Sequence, residues 1–104
     1  MEKKPIVTCL CGSTKFKNEF IEANFKETMK GKIVLTVGWF SHYDGKIYTP
    51  TLEEKIMLDE LHKRKIDLSD EVFVVNVGGY IGKSTRSEIE YAKGLNKPIK
   101  YMEG

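Results

Sequence analysis

Residues 5–11 (Pro-Ile-Val-Thr-Cys-Leu-Cys) are apolar with no polar alternation, the pattern of a strand covered on both faces. From about residue 15 to 29 the period lengthens to that of a helix. Phe16, Phe20 and Ala23 share one face, Glu27 takes the next position of the row, and Ile21 and Phe25 widen it. Gly31 stands where a helix C-cap belongs, and residues 32–37 return to a strand pattern. Residues 38–50 fit neither period, yet Trp39, Phe40, Tyr43 and Tyr48 crowd them. Thr51, with Glu54 at capping-box spacing, opens a second helix that runs to about residue 68. Leu58, His62 and Ile66 form its apolar row, flanked by Met57 and Leu61. Residues 71–76 read as a third buried strand. Residues 84–95 follow as a third helix, with Ile89, Ala92 and Leu95 on one face, and 99–102 form a short last strand after an Asn-Lys-Pro turn.

Strands alternating with helices predict an α/β fold: a small flavodoxin-like parallel sheet in strand order 2-1-3-4, helices on both faces, in one domain over residues 1–104. The crossovers should be right-handed. That order sets the first and third strands side by side, so the loops leaving them meet at the topological switch point, where open α/β sheets bind ligands. Both loops are rich in glycine: Gly12-Ser13-Thr14-Lys15 after the first strand, and Gly78-Gly79-Tyr80-Ile81-Gly82-Lys83 after the third.

Composition narrows the function classes. The 104 residues are 40% apolar and 31% charged, ordinary for a globular domain. A net charge of +2 with dispersed lysines argues against a nucleic acid polymer as partner. No run reaches membrane-span length and the first residues lack the apolar core of a secretion signal, so we expect a cytoplasmic protein with no membrane partner. Cys9 and Cys11 would share a strand face, as small buried apolar residues in a reducing compartment. No His or other Cys lies near them in sequence, and no metal or other cofactor is expected.

Each candidate for chemistry has a plainer alternative. Gly12, Ser13, Thr14 and Lys15 form either an anion cradle at a helix N-terminus or a turn capped by Ser13 or Thr14. Gly78 and Gly79, with Ser84 beyond them, either contact a ligand or shape a tight strand–helix connection. Glu88 either reaches back to Thr85 in a capping box or presents an ionised carboxylate to a bound nucleoside, attacking the anomeric carbon as the sugar gains oxocarbenium character. Trp39, Phe40, Tyr43 and Tyr48 either stack on a planar base or plug the top of the core, Trp39 first among them. His62 sits on an apolar row, where a lone histidine is ordinarily a core or rim residue. Asp59, Asp67 and Asp70 suit helix ends, with Asp59 within reach of a site.

Cys11-Gly12-Ser13 after the first strand and Ser87-Glu88-Ile89-Glu90-Tyr91-Ala92 in the third helix resemble the nucleoside 2-deoxyribosyltransferase superfamily, which includes the deoxynucleoside 5′-monophosphate N-glycosidases. The family's third helix carries Gly-x-x-Glu-Leu/Ile-Gly-x-Ala, with the glutamate as nucleophile four residues before the alanine. Glu88 stands four before Ala92. The resemblance implies cleavage or transfer at the N-glycosidic bond of a nucleotide or deoxynucleoside without a cofactor, with phosphate on Gly12, Ser13, Thr14 and Lys15. It also implies a homodimer or higher homo-oligomer in which a neighbour completes the site. Trp39 and Tyr43 would cover the base, and Gly78, Gly79 and Ser84 would line the site. Eight residues before Asp70, where the family has an aspartate, this chain has His62, to orient or protonate. Residues 77–83 lack the acidic residue of several transferases. A non-catalytic nucleotide-binding module of the same fold is therefore the alternative, and an aromatic loop serving as a protein-partner surface is a third reading.

Overall fold

Strand β1 (Val7–Gly12) is the middle of the molecule. It pairs in parallel with β2 (Ile33–Leu35) on one side and β5 (Glu71–Val75) on the other, and β5 pairs in parallel with β6 (Ile99–Tyr101). The order across the sheet is β2-β1-β5-β6, the expected arrangement once the four main strands are counted in sequence. The computed structural model describes residues 4–43 and 45–104, with the side chains of His42 and Tyr43 outside that set. Among the described residues no helix is long and apolar enough to cross a membrane.

The alternation of β1 and β5 sorts side chains into two cores. On one face Leu10 and Val75 pack with Phe20 and Ala23 of α1 (Lys17–Met29). On the other, Cys9, Cys11, Val72 and Val74 pack with Ile66 of α2 (Leu52–Leu68) and with Ile89 and Ala92 of α3 (Lys83–Gly94). One helix on one face and two on the other is what right-handed crossovers require when the strand order reverses at β1. Each fully buried aliphatic side chain here contributes about 1.5–3 kcal/mol. Gly12 makes the tight end of β1 possible: a Cβ there would meet the Val75 carbonyl oxygen at 2.8 Å and Phe20 Cζ at 3.1 Å.

Helix ends follow the sequence in places and depart from it in others. At α2, Thr51 and Glu54 make both halves of the capping box. At α1, Gly31 follows the last turn with φ 88°, and its N–H donates to the Thr28 carbonyl. Neither Ser13 nor Thr14 caps α1, which begins at Lys17 with Phe16 in the N-cap position. Helix α3 begins one residue early, with Gly82 as its N-cap, so Thr85 lies inside the helix and the expected capping box with Glu88 does not form. Ile21 and Phe25 do not widen the buried face of α1, and Met57 and Leu61 do not flank that of α2. All four side chains are exposed, because a sheet of four short strands covers only one row of each helix.

The second strand is shorter than its apolar run. Pairing stops at Cys9↔Leu35, and the Thr36 carbonyl turns away to accept from Lys65 Nζ at 2.7 Å. The segment that fitted neither period contains a two-residue antiparallel ladder, β3 (His42–Tyr43) with β4 (Lys46–Ile47). The core plug in this segment is Phe40, whose ring meets Phe20 edge-on at 5.7 Å, and not Trp39.

Candidate functional site

The carboxyl ends of β1 and β5 open into a cavity of about 340 Å³, within the range of small-molecule sites. Two connections built by glycine frame it. The β1–α1 turn contributes Gly12, Ser13 and Thr14, and the start of α3 contributes Gly82, Ser84 and Thr85. Helix α2 forms a third wall with Lys55, Asp59 and His62. Trp39 also lines the cavity, its ring in an edge contact with Tyr48 at 5.9 Å. Glu88, one turn into α3, faces the cavity.

Gly82 rather than Thr85 is the N-cap of α3, so the Thr85–Glu88 capping box does not form and the Glu88 carboxylate lines the cavity. It is buried at 8% exposure, with no lysine or arginine in ion-pair range among the described residues. The ionisable side chain beside it is His62, Nε2 to Oε1 4.0 Å. Burial raises its pKa above the ordinary carboxylate value, the His62 charge opposes this, and the nearby Cys9 and Asp59 charges reinforce it.

His62 is 6% exposed, and its Nε2 lies 3.6 Å from Cys9 Sγ and 3.4 Å from Cys11 Sγ. Both cysteines are buried and free, as expected, but His62, 51 positions beyond Cys11, joins them because α2 crosses the sheet face that both thiols occupy. Burial pushes the imidazole pKa down, but the hydrogen bond to Cys9 and the charges of Glu88 and Cys9 outweigh it, and the net shift is upward. The thiols split. The Cys11 hydrogen bond, set against burial and helped by His62, holds Cys9 down at about 5, and Cys11 is raised by the same bond, by burial and by the Cys9 and Glu88 charges.

The remaining predicted residues divide. Ser13 and Thr14 line the cavity; Thr14 Oγ1 is 3.2 Å from Ser41 Oγ, and Ser13 Oγ accepts from the Lys15 N–H at 3.4 Å. Ser84 Oγ accepts from Lys55 Nζ at 2.8 Å. Lys15 is exposed and does not line the cavity; its ammonium sits 3.8 Å from the Tyr80 ring centroid, a cation–π contact. Gly78 and Gly79 also stand outside the lining. They shape a turn with φ 63° and 80°, and the Gly78 N–H donates to Glu103 Oε2 at 2.7 Å, so the C-terminal segment occupies that loop. The Tyr43 side chain lies outside the described residues.

Sequence reasoning missed Lys55 and left Asp59 uncommitted. Lys55 bridges Asp59, at 3.1 and 3.2 Å, to Ser84. The i, i+4 spacing of Lys55 and Asp59 was visible as a helix-surface pair, but only the docking of α2 beside α3 puts it in the site. Lys65 and Lys83 complete the cationic lining. No protein-family model, curated protein or solved structure matches this chain.

Proposed function

We propose that the cavity binds a nucleotide or deoxynucleoside and that Glu88 attacks its anomeric carbon, breaking the N-glycosidic bond. The observation that carries this reading is the placement of Glu88: a buried carboxylate, free of its own helix cap and, among the described residues, of any lysine, opening onto a cavity shared with Ser13, Thr14 and Trp39. In the step itself a Glu88 oxygen bonds to the sugar carbon, the C–N bond breaks with its electron pair on the base, and water or a second base later displaces the carboxylate. His62, charged, stabilises the ionised nucleophile and releases it as the ester forms. The phosphate lies against the Ser13–Thr14 turn, where Lys55 and Lys83 supply charge and the start of α3, without a side-chain cap, supplies N–H groups. Trp39 covers the base.

The test is base release from a panel of nucleoside monophosphates and deoxynucleosides. Loss of release in Glu88→Ala supports the reading, and release undiminished in that variant removes it. A non-catalytic nucleotide-binding module is favoured by one observation: Asp59, the other carboxylate lining the cavity, is tied to Lys55 and does not stand free to protonate a leaving base. Tight binding without turnover would select that reading.

A second copy of the chain completes the site in this proposal. Leu52, Ile56, Met57 and Leu61 are exposed on α2, and Leu61 reaches the cavity rim. Light scattering should give at least a dimer, reduced to a monomer by Leu61→Glu combined with Met57→Glu. A monomer mass for the unaltered protein would remove the shared site.

A further inference from the structure

We infer that Cys9, Cys11 and His62 form a binding site for a thiophilic divalent cation, Zn²⁺ above others, with the Glu88 carboxylate as the fourth ligand on the cavity side. The donor atoms Cys9 Sγ, Cys11 Sγ and one His62 ring nitrogen lie within 4.8 Å of one another, and all three residues are buried. A tetrahedral ion with Zn–S of about 2.3 Å and Zn–N of about 2.0–2.1 Å needs sulfur and nitrogen about 3.6 Å apart. The two separations here are 3.6 and 3.4 Å.

Hydrogen bonding uses only part of this arrangement, with Cys9 Sγ also 3.9 Å from the Leu10 carbonyl oxygen. Nε2 has either one proton or one lone pair, yet two thiols converge on it. An ion at their focus takes the lone pair once and both sulfurs at once. Charge points the same way. Two thiols and a carboxylate, all acidic groups, face a single imidazole, and no lysine or arginine among the described residues bonds to any of them. Every other carboxylate buried to this degree in the described chain has two lysine partners. Cys₂His with a carboxylate suits Zn²⁺ in softness and ligand number. The cavity, which His62 and Glu88 line, is the path in. Both cysteines bind as thiolates, so uptake releases to solvent any proton that either still carries.

The site stands independently of the glycosidase reading. One consequence rests on that reading: with Glu88 ligated to Zn²⁺ its carboxylate cannot attack a sugar, so metal and base release exclude each other. The experiment titrates Co²⁺, then Zn²⁺ in competition, into the reduced full-length protein without nucleotide. One equivalent should give thiolate-to-cobalt charge-transfer absorption with tetrahedral d–d bands, and Zn²⁺ should abolish both. Affinity should fall by about tenfold or more in Glu88→Gln and by about a hundredfold or more in Cys9→Ser and in His62→Gln, each checked for folding by circular dichroism. Folded protein without the charge-transfer band overturns the site, as does a band that survives in a folded Cys9→Ser/Cys11→Ser double variant. Base release that persists with one Zn²⁺ bound overturns Glu88 as the fourth ligand. Cobalt binding by a protein that releases no base upholds the site and removes the glycosidase reading instead. Base release without the cobalt band does the reverse.

Discussion

The two ends of the sheet bury carboxylates in opposite ways. At the amino edge, Glu27 and Glu71 sit 2% and 5% exposed around Lys32 Nζ, at 2.9 and 2.7 Å. Lys30 adds a second bond to Glu27 at 2.7 Å, and Lys100 a second to Glu71 at 3.1 Å. Burial pushes both carboxyls up, but the lysine hydrogen bonds and charges outweigh it and hold both below their ordinary value. Lys32 is raised, by its bond to Glu71 first and with burial opposing. At the carboxyl edge, Glu88 is buried almost as deeply with one histidine 4.0 Å away, and its pKa rises. The same residue type at similar depth has its pKa lowered where lysines answer its charge and raised where they do not.

The largest expected effect is on Glu88. Glu88→Gln should cut base release by about a thousandfold or more. It should also leave the fold at least as stable near pH 7. Because the folded pKa of Glu88 lies above its unfolded value, the folded state binds more protons between the two. Stability therefore falls as pH rises through that interval, and Gln removes this loss. Urea unfolding at two pH values checks the second half. A large destabilisation would mean that Glu88 belongs with Glu27 and Glu71.

Lys32→Met should do the opposite, costing about 3–5 kcal/mol of stability by stranding two buried carboxylates while leaving base release per folded molecule unchanged. The network's contribution is present above the ordinary carboxylate range and is lost as pH falls through the depressed folded pKa values of Glu27 and Glu71. From the lysine side it is present up to the ordinary lysine pKa and is lost as pH rises through the raised value. Acid unfolding of the variant should accordingly be shallower than that of the parent.

His62→Gln tests the coupling at the carboxyl edge. In the parent, base release should rise with pH as Glu88 ionises, above its ordinary 4.5, and fall as His62 loses its proton, above its ordinary 6.5. Removing the imidazolium should abolish the alkaline limb, move the acid limb upward and lower the maximum about tenfold. The smallest effect is a control from neither edge. Thr51→Ala breaks the α2 capping box and should cost about 1 kcal/mol in thermal unfolding, with the rate–pH profile unmoved.

The amino-edge network was hardly legible beforehand. Glu27 occupied an apolar row; Lys30 is three residues on, but Lys32 just before β2 binds both Glu27 and Glu71, and Glu71 comes from β5 on the other side of β1. The cavity was more legible, because the switch-point rule follows from element order alone. It brought Gly12, Ser13 and Glu88 together before any side chain was placed. What the rule could not say was which of the loop's donors face inward, and Lys15, Gly78 and Gly79 face elsewhere.

Local periodicity by itself determined the strands, the three helices, their order and so the parallel sheet, along with the Thr51–Glu54 cap and the Gly31 stop. Each of these depends on residues within a few positions of one another. Tertiary structure alone decided that Gly82 rather than Thr85 caps α3, that Phe40 and not Trp39 enters the core, and that His62 meets both thiols and Glu88. These outcomes join side chains tens of residues apart, and packing chooses among local alternatives that differ by only about 1 kcal/mol in the isolated segment.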